Sequence, residues 1–231
     1  MSLSPTSPDL AQHQDPEIPA APVISNKNGQ KLGRKGLETR GRLTDAARRL
    51  LAHQSPFDLT VVAIAREAAL ASATFYLYFD DVQDVLYALS DEAGAELREL
   101  DLRVRPGHAE EDALAFVETF YELWRRHAVV LSYRNLESDR GNPRFMRLRT
   151  ATAIPVLNRL CDLILAGAVR NGSGKGPSRM EAYAEGIVIF SAIEQIAAVT
   201  LQYPEESLHP VELKRAQARI LARTIGWAGQ R

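Results

Sequence analysis

The 231-residue chain has 45% hydrophobic and 25% charged side chains, the composition of a soluble globular protein with one domain or two small ones. A single cysteine, Cys161, excludes an intrachain disulfide framework, and the first residues lack the basic and apolar segments of a secretory signal. No apolar run looks long enough to span a bilayer. We therefore expect a cytoplasmic protein without a membrane partner.

The net charge of −1 is unevenly distributed along the chain. Residues 1–25 carry three acidic side chains and no Lys or Arg, whereas residues 26–49 carry eight basic and two acidic side chains. This local excess of +6 lies just ahead of the motif described below. A basic segment of this kind is typical of a nucleic-acid contact, so the distribution matters more than the total.

The first 37 residues are predicted to form a disordered tail with a basic arm. Residues 1–25 contain five prolines and no hydrophobic period. Residues 26–37 are basic and punctuated by glycine, and two interpretations stay open with equal weight. They form either a solvated linker or an arm that lies along phosphates or enters the minor groove.

The first predicted helix covers about residues 38–53. Its apolar residues recur at the i, i+3, i+4, i+7 spacing of an amphipathic helix. Ser55 and Pro56 end it, because the residue before a proline disfavours helical dihedrals.

Residues 60–79, TVVAIAREAALASATFYLYF, predict two short helices joined by a tight turn. Thr60 occupies an N-cap position, and the apolar residues after it follow a helical period. In the second piece, residues 72–78, Phe75 and Phe79 share one face, while hydroxyl-bearing side chains point elsewhere. A helix-turn-helix has this pattern, and its second helix enters the DNA major groove.

With its flanks, this segment resembles the DNA-binding domain of the TetR family of transcriptional regulators over about residues 39–89. The Thr60, Ile64 and Ala65 set and the TFYLYF core carry the resemblance. It implies an all-α fold: a three-helix DNA-binding domain with a helix-turn-helix at residues 38–82, then a helical bundle at residues 83–231 for ligand binding and dimerisation.

The DNA-binding residues follow from this resemblance and from side-chain chemistry. Hydroxyl groups can donate to phosphate oxygens, Ser can read base edges, and a methyl group can pack on thymine. The alternative for Tyr76 and Tyr78 is packing against the first or fourth helix. The expected contacts are Arg40, Arg42, Thr60, Val61, Ser72, Ala73, Thr74, Tyr76, Leu77 and Tyr78.

Three residues depart from the family pattern. Ala69 replaces the usual turn glycine, so the turn either avoids a positive φ or is strained. Ala71 replaces a Ser cap. Val82, after two aspartates, replaces a phosphate-binding Lys at the start of the fourth helix. The sequence is therefore expected to rely on the arginines of the first helix, on the basic arm and on Arg66.

All remaining segments have helical periods, and none alternates with period two. The fourth helix, capped by Asp80 or Asp81, runs to about residue 102. The later segments are residues 110–127, 129–136, 144–170 with a kink at Pro155, 178–202, and 210–227. The last two are the expected dimer surface, with Ile187, Ser191, Ala198, Val211, Ala216, Ile220, Ile225 and Trp227 on or near it.

Aromatic residues of the later helices could line an effector cavity, although for any one of them solid core is favoured. The family resemblance implies that some cavity exists. Glu194 is either a surface residue or a polar anchor. The candidate ligand-binding residues are Phe116, Phe120, Trp124, Tyr133, Phe145, Leu157, Tyr183, Phe190 and Gln195.

The resemblance implies a ligand-responsive regulator, a repressor that binds a two-fold DNA operator as a homodimer and is released by a small hydrophobic or amphipathic effector. The alternative is an architectural DNA-binding protein without a ligand. We expect no enzyme, cofactor or metal, because the histidines are scattered and no phosphate-binding glycine motif follows a strand.

Overall fold

The computed structural model describes residues 32–105, 107–170, 176–202 and 209–225. Within these ranges the chain is helical and contains no strand, which confirms the all-α prediction. The expectations for residues 1–31 and for Trp227 lie outside the described residues. The elements are α1 (Arg34–Leu51), a 3₁₀ turn (Pro56–Asp58), α2 (Val61–Glu67), α3 (Ser72–Phe75), α4 (Val82–Arg98), α5 (Ala109–Asp139), α6 (Pro143–Arg170), α7 (Arg179–Gln202) and α8 (Pro210–Thr224).

The first three helices form a small N-terminal unit, which we call the head, around one apolar core. Leu43 and Ala47 of α1 meet Ile64 of α2 and the two phenylalanines of the TFYLYF segment, and all are buried. The rings of Phe75 and Phe79 lie 5.6 Å apart, as their shared face predicted. This core fixes the angle between α2 and α3.

The first helix begins one turn earlier than the sequence indicated. α1 starts at Arg34 instead of about residue 38, so residues 34–37 of the predicted arm are helical. Gly33 at the N-cap supplies no side-chain hydrogen bond. The start is difficult to detect from the sequence because it has no capping signal.

α4 links the head to the C-terminal bundle and ends at Arg98, before the predicted residue 102. Leu100 and Leu102 remain buried although they are not helical. Arg159 of α6 donates from Nη1 to the Leu100 carbonyl oxygen at 2.7 Å. This long-range contact satisfies a carbonyl that a longer helix would have satisfied internally.

α5 joins two segments that the sequence separated. It runs from Ala109 to Asp139, but His127 has non-helical dihedrals, φ −117° and ψ 16°. The predicted break is therefore a kink within one element. α6 continues through Pro155. In the C-terminal bundle, α5 packs on α4, α6 and α8, while α7 packs mainly on α6.

The expectation that no segment is apolar enough to span a bilayer is wrong. Two stretches, Pro143–Val169 and Arg179–Leu201, reach the required length and hydropathy. Each stretch contains 18 consecutive residues with at most two charged side chains. Both helices pack within the bundle, where 39% of each window is buried, and the same composition also suits a core helix.

Candidate nucleic-acid interface and effector region

The turn of the helix-turn-helix is built by a cap and by one strained residue. The backbone N–H of Ala63 donates to Thr60 Oγ1 at 3.1 Å, so Thr60 is the predicted N-cap of α2. Ala69 adopts φ +53°, in the left-handed region where a Cβ is unfavourable. Of the two alternatives for this departure, the strained turn is the one adopted.

The segment after the turn exposes several of the predicted DNA contacts. Tyr76 is 49% exposed and Leu77 is 61% exposed, and Ala73 is exposed as well. Ser72 and Thr74 are half-buried, while Phe75 is fully buried and anchors the segment to the head core. The anchor leaves the other side chains at the surface.

The second helix of the helix-turn-helix, α3, is shorter than the predicted residues 72–78. Its α-helical part ends at Phe75, and the chain continues as a tight turn in which the N–H of Leu77 donates to Thr74 O at 3.2 Å and the N–H of Tyr78 donates to Phe75 O at 2.9 Å. Tyr78 is half-buried and packs against the head core. Val61 packs there too, so packing is part of the role of both residues.

The arginines of α1 hold the head together. Arg42 donates from Nη2 to the Ala68 carbonyl oxygen at 2.6 Å, at the C-terminal end of α2. The Arg40 guanidinium lies 4.9 Å from the ring centre of Phe79. Arg48 bridges Asp45 and Glu92, and Arg49 pairs with Glu67. These contacts use part of the hydrogen-bonding capacity of the helix-1 arginines, and their phosphate contacts stay a prediction.

Three further basic side chains of α1 and α2 are exposed and could contact DNA phosphates. Arg34 and Lys35 at the start of α1 are exposed, as is Arg66 in the last turn of α2. None of these three side chains has an ion-pair partner among the described residues. Arg66, already a candidate from the sequence, is therefore the cation of α2 best suited to a phosphate contact.

The N-terminus of α4 is closed by carboxylates. Asp81 accepts from the N–H of Asp84 at 2.9 Å, and Asp84 accepts in turn from the N–H of Asp80 at 2.8 Å. Asp84 also pairs with Arg144 of α6. Val82, where the family pattern has a lysine, is half-buried. A phosphate at this helix end would meet these anions.

Most of the predicted effector residues are buried, and their aromatic rings pack on one another in two groups. Phe120 stacks on Trp124 at 5.9 Å between ring centres and meets Phe190 edge-on at 5.8 Å. A second group joins Tyr133 to Phe145 at 5.6 Å. Phe116 and Leu157 are buried, Tyr183 is half-buried, and Gln195 is exposed on the other face of α7. Gln195 therefore does not join the aromatic cluster.

A buried ion-pair network, which the sequence indicated only through Glu194, crosses the bundle. Arg134 is 1% exposed and donates from Nη2 to Glu194 Oε1 at 2.9 Å, and Arg149 donates to Glu194 Oε2 at 2.9 Å. Burial lowers the pKa of Arg134 to about 10, and the Glu194 carboxylate opposes that shift. Glu194 is thus a polar anchor; the importance of Arg134 had no sequence signal.

Two pockets that share lining residues lie between the head and the bundle, and of the predicted effector residues Tyr133 lines one of them. One, of about 450 Å³, lies between the end of α1, α4 and the kink of α5. The other, of about 500 Å³, lies between the 3₁₀ turn, α5 and α7. Ala128 and Val129 line both. In the described part of the chain, no three His, Cys, Asp or Glu side chains converge as a metal site.

Two family models match this chain. The model of bacterial regulatory proteins of the tetR family matches residues 43–89, which include the helix-turn-helix. The model of the tetracyclin repressor-like C-terminal domain matches residues 101–229. An uncharacterized HTH-type transcriptional regulator from Haemophilus influenzae is 34% identical over 119 residues. That alignment covers 50% of this chain and 57% of the relative, so the chain spans little more than half of the relative's length.

Solved structures have the same fold at low identity. The fatty acid degradation regulator FadR from Bacillus halodurans is 19% identical with a TM-score of 0.58. The match covers 87% of this chain and 100% of that one. A tetR-family transcriptional regulator from Streptomyces coelicolor is 18% identical with a TM-score of 0.59, covering 84% of this chain and 82% of that one.

A third structure is FadR from Bacillus subtilis in complex with stearoyl-CoA. It is 19% identical with a TM-score of 0.57, and the match covers 82% of this chain and 99% of that one. Together with the helix-turn-helix and the all-helical bundle, the match over residues 101–229 assigns the chain. The protein belongs to the TetR family of bacterial transcriptional regulators.

Proposed function

We propose that this regulator is a ligand-responsive repressor that binds a two-fold operator as a homodimer in the cytoplasm. The observation that supports it best is the exposed edge of residues 72–77, held outward by the buried Phe75. One short recognition helix reads too few base pairs for genomic specificity, so two copies are needed. An effector would act by changing the spacing of the two heads.

The DNA contacts divide into two groups. Ser72, Ala73, Thr74, Tyr76 and Leu77 reach base edges and phosphates directly. Thr60, Val61 and Tyr78 border this surface and join it at its rim. Arg40 and Arg42 act chiefly by positioning: Arg42 holds the turn and Arg40 covers Phe79. Arg66 supplies a phosphate contact.

The dimer forms through the exposed apolar face of α7 together with α8. Ile187 and Val188 of α7 are exposed, as are Val211 and Ile220 of α8. Exposed apolar patches of this kind mark association surfaces. Ile225 is buried inside the protomer and so contributes to the core of the bundle instead of to the dimer surface.

The effector is a small hydrophobic or amphipathic molecule. The support is indirect: one solved structure with this fold holds stearoyl-CoA. A fold likeness at 19% identity does not carry a ligand across, so the class is a proposal for this chain. The packed aromatic core supports the second candidate, an architectural DNA-binding protein without a ligand.

The test of DNA binding is Tyr76→Phe, with Tyr183→Phe as the matched control. Duplexes selected from a random pool by the wild-type protein serve as operator probes in gel-shift titrations. Removing the Tyr76 hydroxyl removes one hydrogen bond to DNA, so we expect affinity to fall by about 0.5–1.5 kcal/mol. Tyr183 lies on α7, and its variant should bind as wild type does. Equal affinity of all three proteins would remove Tyr76 from the interface.

A further inference from the structure

The two pockets between head and bundle have two lining residues in common, and we call them together the junction cleft. The pockets share Ala128 and Val129, the residues just after the kink at His127. Their volumes, about 450 and 500 Å³, lie in the range of small-molecule sites. None of Phe116, Phe120, Trp124 or Phe190, which fill the core, lines either pocket.

The walls of the junction cleft belong to both parts of the molecule. Leu51 and Ala52 at the end of α1 and Phe57 of the 3₁₀ turn belong to the head side, while α5 and α7 belong to the bundle. The head otherwise meets the bundle mainly where α1 packs on α4. A molecule bound in the junction cleft therefore contacts the two bodies whose relative position sets the spacing of the heads.

One half of the junction cleft is apolar and open to solvent. Phe57 is 60% exposed, and its ring lies 5.6 Å from that of Tyr133. Val129 and Leu136 of α5, both exposed, line the same pocket. Exposed apolar side chains gathered in one concave surface indicate a binding site more strongly than scattered ones do.

The other half carries hydrogen-bond donors. Its basic residues are Arg48, Arg125, Arg126 and His127, and its acidic residues are Glu92 and Glu96. Arg125 and Arg126 each hold one carboxylate through Nη2, which leaves most of the five N–H donors of each guanidinium for another acceptor.

We propose that the junction cleft binds an amphipathic anion. Its apolar chain lies along Phe57, Val129 and Leu136, and its anionic group accepts hydrogen bonds from Arg125 and Arg126. This inference rests on the proposed function, because it gives the effector a class and a place. The bound molecule acts as a wedge: it favours one angle between head and bundle, and DNA affinity changes with that angle.

The test is calorimetric titration of the full-length protein with dodecanoate, dodecanoyl-coenzyme A and uncharged dodecanol. Val129 lines both pockets, so the larger side chain of Val129→Trp takes up room beside both, and we expect dodecanoate binding to weaken by about tenfold or more. Val169→Trp, an exposed valine on α6 that lines neither pocket, should bind as wild type does. Comparing dodecanoate with dodecanoyl-coenzyme A shows whether the site prefers a free carboxylate or a phosphate-bearing conjugate.

A second variant pair tests the charged half without added bulk. Arg126→Gln should weaken dodecanoate binding about two- to fivefold, the contribution of an exposed charge pair, and leave dodecanol binding unchanged. Arg103→Gln is the matched control, because Arg103 is also an exposed arginine paired with one carboxylate.

The outcomes separate this proposal from the proposed function. If Val129→Trp and Arg126→Gln bind dodecanoate as tightly as wild type, the junction cleft is not the site, while the effector class stands. If the wild-type protein binds none of the three probes, both the cleft proposal and the amphipathic effector fail. The DNA-binding proposal is unaffected by either result, because the Tyr76→Phe titration tests it without an effector.

Discussion

Ala69 is the residue at which the backbone of the helix-turn-helix is strained. It is the one non-glycine residue of the described ranges with a positive φ. The turn needs this conformation so that the N–H of Leu70 can donate to Ala65 O at 2.9 Å and α3 can follow at its angle. Arg42 supports the same turn by binding the Ala68 carbonyl oxygen.

We therefore expect Ala69→Gly to stabilise the protein. A left-handed conformation destabilises the folded state by about 1–2 kcal/mol at a residue with a Cβ. Glycine removes this strain, but about half of the gain is lost because glycine has a larger conformational entropy in the unfolded chain. The net gain, about 0.5–1 kcal/mol, is measurable by urea unfolding. Ala95→Gly, in an exposed interior position of α4, is the control and should lose about 1 kcal/mol. A loss at both positions would contradict the strain assigned to Ala69.

At the scale of elements, α4 decides how head and bundle are joined. Its N-terminus is fastened to α6 by the Asp84–Arg144 pair, and its middle approaches α6 closely. A Cβ built at Gly94 would lie 2.6 Å from Thr152 Oγ1. Gly94 therefore allows α4 to cross α6 at this distance. A glycine within a helical segment does not by itself predict such a close crossing.

Gly94→Ala should destabilise the protein by about 1–3 kcal/mol, because the new methyl group overlaps a buried hydroxyl. Thr152→Ala removes that hydroxyl, so the double variant should recover part of the loss in a double-mutant cycle followed by urea unfolding. Gly41→Ala is the control: a methyl group at Gly41 would have no atom within 4 Å, so higher helix propensity should make this change neutral or stabilising. Strictly additive losses for Gly94 and Thr152 would exclude the contact.

At the scale of the whole molecule, the C-terminal bundle exposes apolar side chains of α7 and α8. The buried face of α7 carries Phe190, Ile193 and Glu194, whereas its other face leaves Val188 69% exposed. α8 packs on α5 and exposes Ile220. None of the described residues covers this apolar area, which supports its place in the proposed dimer.

Val188→Glu combined with Ile220→Glu should convert the dimer to a monomer. A carboxylate buried unpaired in the interface costs several kcal/mol, so we expect dimer affinity to fall by about a hundredfold or more in sedimentation equilibrium. Leu37→Glu places the same charge on an exposed leucine of α1 and should leave assembly unchanged. A dimer that survives the double substitution would place the interface elsewhere.

Local sequence alone determined the helices and the helix-turn-helix. The apolar period of α1, the Thr60 cap and the capping residues at Asp81 and Ser178 depend on neighbours within a few residues, so they can be read directly from the chain. The same local signals predicted an all-α protein. They also placed Phe75 inward and Tyr76 outward, because both follow from the helical repeat.

Only the tertiary structure decided what those side chains meet. The sequence offered Arg40 and Arg42 as phosphate contacts, which stays a prediction, and it gave no sign of their partners distant in sequence, Phe79 and the Ala68 carbonyl. It offered an aromatic cavity, which stays a prediction; in the structure Phe120, Trp124 and Phe190 pack on one another, and Tyr133 lines the junction cleft. The physical reason is that periodicity fixes which face is buried, whereas partners and voids depend on how distant helices pack.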